Sequence, residues 1–156
     1  MQEDRDVAVI GLRQSARLIL DNLQIEQIKR EFSEIGGDIN LLRFNEGVQT
    51  GYLEKRGMFT IRGDVLPRLD SNHPRSVMSS KAVLAHELGH MHYKGTILAP
   101  GACNDEFRAS YWAAKYVPNL SHKERVHLIQ DAISRAQESG ITIRVNKFMR
   151  EIMYGF

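Results

Sequence analysis

Hydrophobic positions divide the chain into three stretches of different period. From about Val7 to Ile35, the apolar residues Val9, Leu12, Ala16, Leu18, Ile19, Leu23, Ile25, Ile28, Phe32 and Ile35 recur at mixed three- and four-residue steps. That spacing predicts helix with one buried face, divided in two near Asp21-Asn22 and stopped by Gly36-Gly37. Between Ile39 and Val65 the pattern shortens. Ile39, Leu41 and Leu42 open a short apolar run, Gly51-Tyr52-Leu53 follows, and Met58-Phe59-Thr60-Ile61-Arg62 comes after a turn at Lys55-Arg56-Gly57. These read as about three antiparallel strands, with Phe59 and Ile61 on one face. Gly63 to Pro74, rich in Gly, Pro, Asp and Asn, reads as loop.

Helical spacing then returns and persists to the end. Ser79 or Ser80 caps a helix that runs to about Tyr93 and closes at Gly95. A second helix spans about Asn104 to Val117 and stops at Pro118. Ser121 and Glu124 have capping-box spacing and open a third, which ends near Ser139, before Gly140. A last helix covers about Thr142 to Met153. The expected class is α+β, a small antiparallel three-stranded sheet packed on a helical body. With 156 residues and no repeat or linker-like tract, the chain reads as a single domain. Its parts are a helical N-terminal segment over 1–36, a core over 39–118 and a helical tail over 119–156.

Composition narrows the function classes. Apolar residues make up 42% and charged residues 26%, values of a globular chain rather than a disordered one. Lys and Arg number 21 against 19 Asp and Glu, and this near-balance argues against a dedicated nucleic-acid binder. The basic set Arg144, Lys147 and Arg150 reads as a solvated helix face. A lone cysteine, Cys103, excludes a disulfide scaffold. The polar, acidic opening Met1-Gln2-Glu3-Asp4-Arg5-Asp6 is not a secretory signal, and no window approaches the roughly 18 apolar residues of a membrane span. The expected compartment is the cytoplasm, with no membrane partner; oligomeric state is left open.

The chemistry concentrates in Val83-Leu84-Ala85-His86-Glu87-Leu88-Gly89-His90, which contains His-Glu-x-x-His. On a helix, His86 and His90 share a face and aim two imidazole nitrogens at one point, while Glu87 stands a step around. Gly89 between them invites close approach by another segment. A catalytic zinc site needs a third protein ligand. His92 points about 200° away from His90 around the helix and is poorly placed. Thr96 occupies the position where a metzincin has its third histidine. The next acidic residues, Asp105 and Glu106, open the following helix, and either can lean back toward the motif. Asp64, Asp70 and Asp105 are available to orient the imidazoles, with none singled out.

His86-Glu87-Leu88-Gly89-His90 followed by Glu106, Ala109, Trp112, Ala113, Tyr116, Val117 and Pro118 resembles the ImmA/IrrE family of zinc metallopeptidases. That family's second helix reads Glu-x-x-Ala-x-x-Phe-Ala-x-x-Leu-Leu and then proline. The likeness covers about Gly51 to Pro118, including the strands before the motif helix. It implies a zincin-like fold and a zinc-dependent endopeptidase that cuts a regulatory protein, such as a transcription repressor of a phage or mobile element. It also implies Zn2+ held by His86, His90 and Glu106, with Glu87 as general base. The core over 39–118 would then be the catalytic part. Tyr93, Tyr111 and His122 are candidates for the oxyanion-stabilising donor, and the Met58, Phe59, Thr60, Ile61, Arg62 strand is the candidate edge for pairing with substrate. Cys103, in the loop between the two helices, is weighed as a blocking fourth ligand against a plain loop thiol. A competing function is a non-cleaving module that sequesters a transcription repressor on the same fold; the intact Glu87 favours the enzyme.

Overall fold

The computed structural model describes residues 12–96 and 104–155. Among the described residues, six α-helices and one small sheet follow in the order α1 (Asn22–Glu34), β1 (Leu42–Phe44), β2 (Gly51–Leu53), β3 (Met58–Ile61), α2 (Pro74–Val77), α3 (Ser80–His92), α4 (Asp105–Tyr116), α5 (His122–Glu138) and α6 (Lys147–Tyr154). The class is mixed α+β. No helix among the described residues is long and apolar enough to cross a membrane.

Capping chemistry sets the helix starts. Asp21 closes a capping box with Gln24 at α1, and Ser121 does so with Glu124 at α5. Ser79 accepts from the Ala82 amide to open α3, and Asn104 accepts from the Phe107 amide to open α4. α3 ends through Tyr93, two residues before Gly95 at φ +73°. Ala82, Leu84, Ala85, His86, Glu87, Leu88 and Gly89 are all buried, so α3 is enclosed nearly all round. It packs against α1, α4, α5 and β2, which makes it the central helix.

Three expectations are corrected. First, residues 12–20 are not helical; the portion of that expectation over residues 7–11 lies outside the described residues. Arg13 instead bridges to Pro67, and its guanidinium donates to the carbonyls of Asp64, Val65, Arg75 and Met78 at 2.6–2.7 Å. Those four bonds pin the start of the segment to the chain over 64–78. Burial pushes the Arg13 guanidinium down to about 10, partly offset by the charges of Asp64 and Asp131, so it stays cationic at neutral pH. Leu18 and Ile19, 41% and 63% exposed, do not supply the buried face that a helix here would need.

Second, the sheet is mixed rather than antiparallel, in the order β1-β3-β2. β1 runs parallel to β3, with Leu42 opposite Phe59, and β2 runs antiparallel, with Tyr52 opposite Phe59. The Met58–Arg62 segment is therefore the central strand and not an edge. The connection after β1 makes this possible. Asn45 and Gly47 take φ of +58° and +78°, Asn45 ties to the Leu20 backbone through both side-chain atoms, and the chain leaves room for β3 between its two predecessors. Phe59 and Ile61 are fully buried, and Phe59 meets the rings of Phe32 and Tyr52 at 5.2 and 5.0 Å.

Third, α6 starts at Lys147, capped by Asn146, and not at Thr142. Ile141-Thr142-Ile143 and Val145 are β-branched and disfavour helix. Ile143 and Val145 pack on the core from non-helical backbone instead. The stretch read as loop ends where the short α2 begins, at Pro74, and Arg75 of that helix reaches the site through Asp131.

Candidate metal centre

Two residues four apart on α3 and one on the first turn of α4 come together. His86 Nε2 lies 3.1 Å from His90 Nε2 and 3.3 Å from Glu106 Oε1, and His90 Nε2 lies 2.9 Å from Glu106 Oε2. Two ligands on a tetrahedral zinc, at metal–ligand distances near 2.0–2.1 Å, are separated by about 3.3 Å. The three donors thus outline one face of such a coordination shell. Two neutral imidazoles and one carboxylate are also a donor set suited to zinc. His86, His90 and Glu106 can hold a metal ion.

Gly89 is what lets the helices meet closely enough. A Cβ built there would stand 2.8 Å from Ala109 Cα and closer still to the Ala109 carbonyl oxygen. Ala109 is one turn beyond Glu106, so this contact sets the Glu106 carboxylate beside the two imidazoles. Asp105 takes another course. It pairs with Arg108 at 2.7 Å and is 61% exposed, which leaves Glu106 as the carboxylate of the trio.

Charges around the site are perturbed in identifiable ways. Burial raises the Glu87 carboxyl above its ordinary value, against the opposing pull of His86 and His90. Burial also acts to lower His90, but the hydrogen bond to Glu106 and the charge of Glu87 outweigh it and leave His90 raised. For Glu106 burial opposes ionisation; the close contacts with His86 and His90 and the charge of Arg135 prevail and hold it well below the usual carboxylate range.

The imidazole partner is none of the three aspartates considered. Asp64 accepts from the Thr50 amide and hydroxyl, Asp70 pairs with Arg68 at 2.7 Å, and Asp105 pairs with Arg108. His86 Nδ1 meets Ser110 Oγ at 2.7 Å instead, and Ser110 donates to Asp131 at 2.8 Å. Asp131 further accepts from Arg75 and Arg135, and Arg135 also reaches Glu106 at 3.3 Å. Sequence reading missed this group, although signals existed. Ser110 follows Glu106 by four residues on one helix, and Asp131 interrupts the apolar face made by Leu128, Ile129 and Ala132.

Two cavities meet at Glu87 and Glu106. One, about 300 Å3, extends under the site toward Arg13, Asp64 and Arg75. The other, about 350 Å3, is a groove between Gly51 and Tyr52 of β2 and His90 and Tyr93 on the helical side. β2, one of the two edge strands of the sheet, borders the site in place of Met58–Arg62. Among the oxyanion candidates only Tyr93 lines this groove, its ring beneath Arg108 at 4.5 Å. Tyr111 instead accepts from Asn146 at 2.9 Å and lies against Phe107 and Phe148. His122 is exposed on the first turn of α5, about 20 Å along the axis from Arg135. His92 stacks on Trp112 at 4.5 Å, away from the donors. Cys103 lies outside the described residues.

No protein-family profile matches the chain, and neither a curated protein nor a solved structure does.

Proposed function

We propose that this protein is a zinc-dependent endopeptidase with a zincin-like active site of the ImmA/IrrE type, acting in the cytoplasm on a regulatory protein such as a transcription repressor. The observation that carries the reading is the convergence of His86, His90 and Glu106 on one point with the buried Glu87 beside them. When bound there, zinc would polarise a peptide carbonyl and lower the pKa of a water from about 15.7 toward about 7.

The remaining steps belong to side chains of the chain. Glu87 takes a proton from the attacking water and later returns it to the leaving amine. Its burial, by raising its affinity for the proton, suits both transfers. Tyr93, which lines the groove, would donate a hydrogen bond to the developing oxyanion. The open edge of β2 offers unpaired backbone groups to an extended substrate strand, which would lie between Tyr52 and His90. A general base 8% exposed beside the donors favours cleavage over simple sequestration, since a binding groove has no use for it.

Purified protein should contain one zinc per chain. Glu87→Gln should keep that zinc and lose at least about 100-fold in peptide hydrolysis, in line with the worth of a general base. Protein that takes up no zinc after metal supplementation, or a Glu87→Gln form that cleaves normally, would refute the proposal.

A further inference from the structure

Ser110 has one hydroxyl proton and two close neighbours that compete for it. Its Oγ lies 2.7 Å from His86 Nδ1 and 2.8 Å from Asp131 Oδ2, with Ser110 fully buried and Asp131 only 1% exposed. The Nε atoms of Arg75 and Arg135 bond the Asp131 carboxylate at 2.8 and 2.9 Å, one on each oxygen, so it stands as an ionised acceptor with no proton to give. The Ser110 proton therefore goes to Asp131, and Oγ accepts from His86 Nδ1. A neutral imidazole that holds its proton on Nδ1 carries a bare lone pair on Nε2. Nε2 is the atom turned toward His90 and Glu106.

The same aspartate oxygen anchors a second arm. Arg135 bonds Asp131 Oδ2 through Nε and reaches Glu106 Oε1 through Nη1 at 3.3 Å. One carboxylate on α5 thus reaches two of the three donors, one through a serine and one through an arginine. Both arms pass through a single turn of α4, where Glu106 and Ser110 are four residues apart.

We propose that Asp131 is the positioning residue of the metal centre, selecting the metal-competent tautomer of His86 through Ser110 and fixing the Glu106 carboxylate through Arg135. This rests on the metal-centre reading given above. An amide at 131 cannot take over. Both carboxylate oxygens face donors, so an Asn side chain would set its NH2 against Arg75 on one side or against Ser110 and Arg135 on the other.

The test uses the whole chain and zinc alone as ligand. Ser110→Ala should keep its circular dichroism and lose about 10–100-fold in zinc affinity, measured by competition with a chromophoric chelator. Asp131→Asn should lose at least as much, and adding Ser110→Ala to it should cost little more, because both substitutions cut the same arm. Long-range 1H–15N spectra of the metal-free protein give a readout that general loosening would not mimic. His86 should hold its proton on Nδ1 in the native chain and shift population to Nε2–H in Ser110→Ala. Unchanged zinc affinity in Ser110→Ala, or a native His86 protonated on Nε2, would overturn this role while leaving the metal centre standing. A native protein that binds no zinc would remove the centre and this role with it. If Asp131→Asn does not fold, the affinity and tautomer of Ser110→Ala still decide the matter.

Discussion

An alanine at Gly89 sets two effects of opposite sign against each other. In a helix interior, Ala is favoured over Gly by roughly 1 kcal/mol, so local propensity predicts a more stable protein. The tertiary contact predicts the reverse. The added Cβ would stand 2.8 Å from Ala109 Cα and nearer still to the Ala109 oxygen. Ordinary contact between carbons is about 3.5–4.0 Å, so α4 must retreat by on the order of 1 Å. The obstacle is backbone, which cannot rotate aside, and overpacking of this kind costs about 1–3 kcal/mol. At the upper end of that range, the net loss is about 2 kcal/mol. The same retreat carries Glu106 away from His86 and His90. Metal–ligand distances tolerate about 0.2 Å, so zinc affinity should fall at least about tenfold. Urea unfolding with a chelator present isolates the packing term, and zinc competition then reads the second effect. If Gly89→Ala in chelator is more stable than the native protein by the full propensity gain, the close approach of α3 and α4 is wrong, and with it the explanation of how Glu106 reaches the imidazoles.

Other outcomes follow from neighbouring observations. Arg13→Met should remove the bonds to four carbonyls and destabilise the fold by about 3 kcal/mol or more, as read in the same urea assay; loss below about 1 kcal/mol would mean that the segment is held by something else. Tyr93→Phe should lower kcat by about 10–100-fold with little change in KM, whereas Tyr111→Phe should leave kcat unaffected, because Tyr111 lines neither cavity. Burial opposes ionisation of Asp131, but the charges of Arg135, His86 and Arg75 outweigh it and lower its pKa. A carboxyl lowered on folding stabilises the fold above its unfolded pKa of about 3.9, and that contribution is lost as pH falls through the folded value. Metal-free protein should therefore lose stability in acid, with a shallower loss in Asp131→Asn. An equal slope in both proteins would place the acid sensitivity elsewhere.

Some of the site was legible because it is local. His86 and His90 are four apart on a helix whose cap and end are written in Ser79 and Gly95, and helical geometry then brings the two imidazoles together. Ser121 and Glu124 announced α5 in the same way. The sheet was harder. Three short apolar runs separated by turns look the same whether the third strand adds to an edge or inserts between its predecessors. That choice depends on the path through Asn45 and Gly47 and on where Phe59 meets Phe32. For this reason Met58–Arg62 reads as an edge in the sequence and lies at the centre of the sheet in the fold. At residues 12–20 the apolar spacing suggested a helix, and the competing signal was a single arginine whose four acceptors lie 51 to 65 residues away in sequence.

Taken alone, the order of amino acids determined where most helices begin and end, the α+β class, and the pairing of two histidines with a glutamate on one helix. Those are properties of neighbours along the chain, set by hydrogen bonds and side-chain spacing within one or two turns. Tertiary structure decided which carboxylate completes the trio, which strand is left open beside it, and that Ser110 and Asp131 stand behind His86. Each of these depends on the distance between segments far apart in sequence, and that distance is set by packing, here by the missing side chain at Gly89.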